Sequence, residues 1–383
     1  MFRGLRGETA IFNRLELHHR IPFAAAICYA PIQSFSIRRI LQMTERLEDI
    51  ALAMVADGKG ILAADESSGT IKKRFDAINV ESTEENRRDY RELMFRADAA
   101  MKNYISGVIL YDETIRQKAA DGTPLVDIIK AAGAVPGIKV DAGAKPLAGF
   151  PGDTITEGLD GLRERLAEYY KLGARFAKWR AVIDIDEENN VPSPTAIDAN
   201  CHALARYAAL CQEAGIVPIV EPEVLMDGAH DIDTCYEVTK VTLLQLYSEL
   251  YAADVYLEGT ILKPNMVIPG KKSGTKASPE QVAEMTLKLF RETVPVAVPG
   301  IAFLSGGQSD EEATANLNAM NAAGPLPWKL TFSYGRALQA APQKAWAGKK
   351  ENVAAAQAAF AHRAKMNGLA AQGKWSPELE KQG

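Results

Sequence analysis

Ile216-Val217-Pro218-Ile219-Val220-Glu221-Pro222-Glu223 is a short apolar run that ends in two carboxylates two residues apart. A continuous apolar stretch of this length, bounded by polar residues, is how a parallel strand buried on both faces reads. The pattern recurs on either side of it. Upstream lie runs at 60–65, 105–112, 135–141 and 174–180, and downstream lie runs at 256–263, 300–305 and 329–333, which makes eight in all. Helical periodicity fills the intervals at 83–100, 157–172, 195–214, 233–252, 278–293 and 309–323, and an amphipathic helix over 43–56 precedes the first run. Several of these helices open on recognisable signals. Ser82-Thr83-Glu84-Glu85 supplies a cap and first-turn acids, Ser278-Pro279-Glu280 puts proline at the first helical position, and Ser309 precedes Asp310, Glu311 and Glu312. Strand and helix alternating eight times predicts an α/β fold of the closed TIM (β/α)8 barrel type. An open doubly wound sheet is the other architecture such alternation allows, but no GxGxxG follows the first run.

Composition agrees with one large globular domain. The 383 residues are 47% hydrophobic and 24% charged, with a formal net charge of −5. That charge argues against nucleic acid or an anionic membrane as a partner, so any anion site must be a local concentration of basic groups. No apolar run reaches the roughly 20 residues of a membrane helix. The four cysteines, Cys28, Cys201, Cys211 and Cys235, form no CxxC pair and read as thiols of a reducing, cytoplasmic compartment. The five histidines, His18, His19, His202, His230 and His362, show no metal-ligand spacing, which disfavours a zinc-dependent mechanism. Residues 1–42 stand apart. They carry Arg3, Arg6, Arg14, Arg20, Arg38 and Arg39 against only Glu8 and Glu16, and no lysine. Three readings stay open there: a start at Met43, an organellar targeting segment, or a genuine arm. The barrel is expected to span 43–374, with a loose tail over 375–383.

Active sites of such barrels lie at the C-terminal ends of the strands. Those ends hold Asp65, with Glu66 and Ser67 beyond it, then Lys139 and Asp141, Lys178 and Arg180, Glu221 and Glu223, and Lys263. Side chains alternate with period two, so Lys178 and Arg180 share a face, as do Glu221 and Glu223. If that face is the interior, charges stand where apolar layers normally pack, and each must be paired. A purely structural ion-pair network would use the same residue types, but it would not gather every charge at one end. Lys263 closes the apolar strand of Gly259-Thr260-Ile261-Leu262-Lys263-Pro264-Asn265. Desolvation and a neighbouring cation such as Lys178 favour the neutral amine there, the form that attacks a carbonyl. Glu221 and Glu223 offer one carboxylate to move protons and one to orient the lysine.

Two anion sites are predicted around this centre. Ser305-Gly306-Gly307-Gln308-Ser309 is glycine-rich and leads into a helix, and Ser333-Tyr334-Gly335-Arg336 adds a guanidinium beside it. Lys139 and Arg180, with Lys73 and Arg74 near Ser67 and Thr70, form a second basic group across the mouth. Two separated anion sites imply a substrate with two phosphates.

From 43 to 374 the chain resembles the class I fructose-bisphosphate aldolases. The resemblance rests on 58–67, 83–88, 176–180, 216–223, 257–266, 303–309 and 331–339, in order. It implies reversible cleavage of fructose 1,6-bisphosphate to dihydroxyacetone phosphate and glyceraldehyde 3-phosphate, with no metal and no cofactor. It also implies roles. Lys263 would be the Schiff-base lysine, Glu221 the acid/base group, Glu223 the carboxylate hydrogen-bonded to the lysine, Lys178 the stabiliser of negative charge, and Asp65 the group acting at the C4 hydroxyl. Ser305, Gly306, Gly335 and Arg336 would take the C1 phosphate, and Gly307 and Ser333 beside them would bind substrate. Ser67, Thr70, Arg74, Lys139 and Arg180 would surround the C6 phosphate, and Arg87 belongs to the matched stretch 83–88. A homotetramer is common in the family. Animal members end in a tyrosine that assists enamine protonation; this chain ends Glu380-Lys381-Gln382-Gly383, which leaves that proton donor unassigned. A transaldolase-like transferase would share the lysine but need only one strong phosphate site. A catalytically silent barrel binding a protein partner would need neither.

Overall fold

The computed structural model describes residues 45–381. The expectations for residues 1–42, including Cys28, His18 and His19, lie outside them. All eight apolar runs are strands of one closed parallel barrel. They are β1 (Gly60–Ala64), β2 (Ile105–Leu110), β3 (Val135–Lys139), β6 (Phe176–Ile183), β7 (Val217–Val224), β8 (Ile261–Leu262), β9 (Gly300–Phe303) and β10 (Lys329–Tyr334). The order around the barrel is β1-β10-β9-β8-β7-β6-β3-β2. An antiparallel hairpin of β4 (Gly143–Pro146) and β5 (Thr154–Glu157) stands outside it.

The barrel interior is sealed at one end by apolar side chains. The helix Leu47–Met54 lies across that end, and Leu47, Ile50, Ala51 and Met54 pack with Phe176, Val217, Ile219, Ile261 and Ala302. Phe176 covers the inner faces of Gly107 and Gly137, where a β-carbon at Gly137 would run into its ring. Burying each such large apolar side chain stabilises the fold by about 1.5–3 kcal/mol. A separate, larger apolar layer holds the surrounding helices against the outside of the strands.

Helix caps follow the predicted signals. Ser278 accepts from Gln281 N ahead of Pro279–Thr293, and Ser309 and Glu312 form a reciprocal capping box ahead of Asp310–Ala322. Four boundaries differ from expectation, each for a physical reason. The helix expected over 83–100 is two, Glu84–Phe95 and Asp98–Tyr104, and Arg96 at the break is held by Glu92 and Asp121. The helix expected from 157 starts at Leu162, because Gly158 (φ 126°) and Gly161 (φ 66°) adopt backbone that only glycine enters freely. The run 256–263 is a strand only at Ile261–Leu262, since the Gln212 amide captures the carbonyls of Tyr256 (2.7 Å) and Gly259 (3.2 Å) and bends the chain into a 3-10 turn. The segment expected to be a loose tail is anchored as far as Glu380, whose carboxylate accepts from Arg363 (2.6 Å) and from Trp375 Nε1 (3.0 Å).

Candidate active site

Five strands aim their charges into one end of the barrel. Lys178 and Arg180 on β6 share a face, and Glu221 and Glu223 on β7 share the face beside it. Lys263 directly follows β8, Asp65 directly follows β1, and Lys139 ends β3. Lys178, Glu221, Glu223 and Lys263 are all buried. Lys178, Glu223 and Lys263, with Asp65, Lys139, Arg180 and residues just past β9 and β10, line a cavity of about 500 Å³.

The charges form a chain of alternating sign. Lys263 Nζ lies 3.2 Å from Glu221 Oε1. Glu221 Oε2 lies 3.4 Å from Lys178 Nζ, and Lys178 Nζ lies 2.8 Å from Asp65 Oδ2. This alternation sets the protonation states. Burial alone would raise the Asp65 carboxyl, but Lys178, Lys263 and Lys139 outweigh it and hold it at about 2. Burial likewise works against ionisation of Glu221, and Lys178, Lys263 and Arg180 reverse it, so its pKa lies below the ordinary carboxylate value. Burial would lower Lys178, yet Asp65, Glu221 and Asp141 hold it firmly protonated.

One expected pairing is corrected. Glu223 was assigned to the lysine, but its carboxylate pairs with the Arg180 guanidinium, and Glu221 is the carboxylate nearest Lys263. Burial lowers Arg180, and Glu223 more than compensates, raising it overall. The two glutamates share a face, but they sit at different heights along the strand. The upper one therefore meets the longer, higher cation.

The remaining expected residues divide into wall and support. Ser67, Thr70, Arg74, Lys139 and Arg180 line the basic side of the cavity. Ser67 caps the helix Ser68–Asp76 and lies 3.1 Å from Thr70 Oγ1. Arg74 is paired with Glu66, and Lys139 with Asp141 at 2.6 Å. On the opposite side stand Ser305, Gly306, Ser333 and Gly335. Ser333 Oγ is buried there without a hydrogen-bond partner. Gly307 and Arg336 are not part of the wall. Gly307 (φ 77°) turns the loop behind Gly306, and Arg336 donates to the Gln308 carbonyl (3.0 Å), tying the two glycine loops together. Arg87 is likewise absent from the cavity wall: it is paired with Glu113 at 2.5 Å and with the Ser82 carbonyl at 2.6 Å.

Sequence reasoning gave no role to three contributors. Glu66 is buried and accepts from Arg74 and from Gln339 Nε2 (2.7 Å), so Gln339 positions the carboxylate that positions Arg74. Tyr111, just past β2, adds an aromatic wall. Glu66 and Gln339 stood inside or at the edge of the quoted stretches 58–67 and 331–339. Tyr111 carried no signal apart from its place at a strand end.

Comparison with known proteins points the same way as this geometry. A family model described as fructose-bisphosphate aldolase class-I matches residues 46–383. The chain is 61% identical over 332 residues to the probable fructose-bisphosphate aldolase class 1 of Xanthomonas axonopodis pv. citri, covering 86% of this chain and 98% of that one. It is 56% identical to fructose-bisphosphate aldolase C of Rattus norvegicus, covering 87% and 92% of the two chains. The solved fructose-bisphosphate aldolase of Plasmodium falciparum, in complex with TRAP and a small molecule inhibitor, superposes with a TM-score of 0.85 at 50% identity, over 86% of this chain and 95% of that one. With the family matched over nearly its whole length, the chain belongs to the class I fructose-bisphosphate aldolases, which cleave fructose 1,6-bisphosphate reversibly through a lysine Schiff base.

Proposed function

We propose that Lys263 is the lysine that forms the Schiff base, and that Glu221 serves it as the proton carrier. The observation that carries this reading is the buried contact of 3.2 Å between Lys263 Nζ and Glu221 Oε1. Glu221 is ionised in the free enzyme and can take a proton from the Lys263 ammonium, leaving an amine that attacks the C2 ketone. The same carboxyl returns the proton to the carbinolamine oxygen, which leaves as water. The resulting iminium accepts the electron pair of the C3–C4 bond as that bond breaks, while Asp65 takes the C4 hydroxyl proton and the aldehyde departs. Lys178, held protonated between Asp65 and Glu221, stabilises negative charge on both as protons move. Protonation of the enamine at C3 and hydrolysis of the imine release dihydroxyacetone phosphate.

Phosphates sit at the two ends of the substrate. The backbone of Ser305 and Gly306, with Ser333 and Gly335, supports the C1 phosphate reading, and Arg336 holds that loop from behind. Ser67, Thr70, Arg74, Lys139 and Arg180 support the C6 phosphate reading. The decisive experiment is borohydride trapping with dihydroxyacetone phosphate in excess EDTA, followed by peptide mass mapping. A stable adduct on Lys263 is expected. An adduct on another lysine, or none, would sink the assignment.

On family grounds we assign a homotetramer, and the exposed Val241, Leu244 and Tyr251 on helix Ile232–Ala252 are apolar surface that an assembly would cover. Light scattering of the purified protein decides it, and a monomer would overturn it. We assign the cytoplasm on the free thiols Cys201, Cys211 and Cys235, which cell fractionation checks. Among the described residues no helix is long and apolar enough to cross a membrane.

A further inference from the structure

The glycine loop after β9 has two faces. One, at Ser305 and Gly306, forms cavity wall. The other rests on the side chain of Met226. A β-carbon placed at Gly306 would come 2.8 Å from Met226 Cε, and one at Gly307 would overlap Met226 Cγ. Real side chains do not tolerate such approaches, so the loop lies as close to Met226 as a backbone without side chains can. Met226 follows β7 by two residues and is 3% exposed, so it cannot swing aside into solvent.

The backbone beneath Met226 is equally fixed. Its carbonyl accepts from Lys271 N at 2.8 Å, the Gly228 carbonyl from Lys272 N at 2.9 Å, and the His230 carbonyl from Gly270 N at 2.9 Å. Gly270 packs so closely on the Gly228 carbonyl that a β-carbon would collide with it. Leu225 N in turn donates to the Ile183 carbonyl at 2.8 Å, on the far side of β7. Met226 is therefore a post set on the same strand that carries Glu221 and Glu223, and it touches the loop that faces the other end of the cavity.

We propose that Met226 is a positioning residue for phosphate binding: its buried side chain sets the height of the Gly306-Gly307 backbone, so that the loop N–H groups meet the phosphate at a fixed distance from Lys263. This inference rests on reading residues 305–307 as the C1 phosphate loop. An unbranched thioether suits the role, because it fills an irregular gap beneath two glycines without a branch to clash with either. Removing it leaves a void into which the loop can sink, and small misplacements of binding groups are expensive in enzyme sites.

Steady-state kinetics of the full-length enzyme test the idea on fructose 1,6-bisphosphate and fructose 1-phosphate, which share the C1 phosphate and differ only in the C6 phosphate. Met226→Ala is expected to raise KM for both substrates by the same factor, about tenfold, with kcat within about twofold, the signature of lost uniform binding. Met226→Leu, close in volume, is expected to restore KM to within about twofold. Should Met226→Ala not fold, Met226→Val is read in the same way, because it also withdraws the side chain from Gly306. A truncation that lowers the melting temperature and leaves both KM values unchanged would reduce Met226 to core packing and overturn the proposal. Arg336→Ala is the control on the underlying reading. If it raises both KM values and the Met226 truncation does not, only the positioning role falls. If neither variant moves them, the phosphate assignment itself is wrong, and the inference goes with it.

Discussion

The two ends of the barrel interior are built from the same strands and could hardly be more different. On β7 the inward positions run Val217, Ile219, Glu221, Glu223; on β6 they run Phe176, Lys178, Arg180; across β8 they run Ile261, Lys263. Each sequence of inward side chains changes from apolar to charged halfway along. The lower half packs Phe176, Val217, Ile219 and Ile261 against the helix Leu47–Met54. The upper half holds four groups alternating in sign, Lys263, Glu221, Lys178 and Asp65. One end therefore supplies stability and the other spends some of it on ionised groups out of water, where only mutual pairing keeps them charged.

That division predicts which substitutions separate activity from stability. The largest effect is expected at Lys263. Lys263→Met should reduce fructose 1,6-bisphosphate cleavage by about 10⁴-fold or more, as loss of a nucleophile does. Its melting temperature should change little, because Glu221 keeps Lys178 as a partner. Rapid-quench assay and thermal melting read the two quantities, and a large loss of stability with residual turnover would contradict the division. Phe176→Ala is the reverse case. It should destabilise the fold by about 3–5 kcal/mol in urea titration, while the folded fraction keeps the wild-type borohydride adduct. Failure to form the adduct would mean that the lower end shapes the site directly.

Acid provides a subtler probe. Asp65 is held at about 2, below its ordinary value, so its contribution is present above about pH 4 and lost as pH falls toward 2. The linkage is worth about 2 kcal/mol over that window. Asp65→Asn should accordingly make the melting temperature less dependent on pH between about 4 and 2. An unchanged acid slope would show that the Asp65–Lys178 pair does not carry it. The smallest effect is expected at Arg87, which lies outside the cavity in a pair with Glu113. Arg87→Ala should shift KM by less than about twofold, because its guanidinium is engaged by Glu113 and not by the cavity. A tenfold rise would place Arg87 in contact with substrate after all.

Much of this architecture was legible before any coordinates. All eight apolar runs are barrel strands, because a strand buried on both faces needs continuous apolar sequence and little else produces runs that short. Period two correctly paired Lys178 with Arg180 and Glu221 with Glu223 on common faces. The hairpin of β4 and β5 was invisible because it lies outside the barrel and is not marked by an apolar run. Anchoring of the chain through Glu380 depends on Arg363, which is distant in sequence and gives no local sign of its partner. The helix boundary at Leu162 could have been found from Gly158 and Gly161, which periodicity alone overlooks.

Local order decides periodicity, capping and which residue types end each strand, and these are properties of the chain read a few residues at a time. From them the sequence determined the barrel and the end at which its charged side chains, Lys263 among them, gather. Which carboxylate meets the lysine, which cation neutralises the other, and that Arg87 turns away to Glu113 were decided only by tertiary structure. The reason is geometric: ion pairs form between strands at a given height in the barrel, and height across strands is set by register, twist and closure rather than by any one segment.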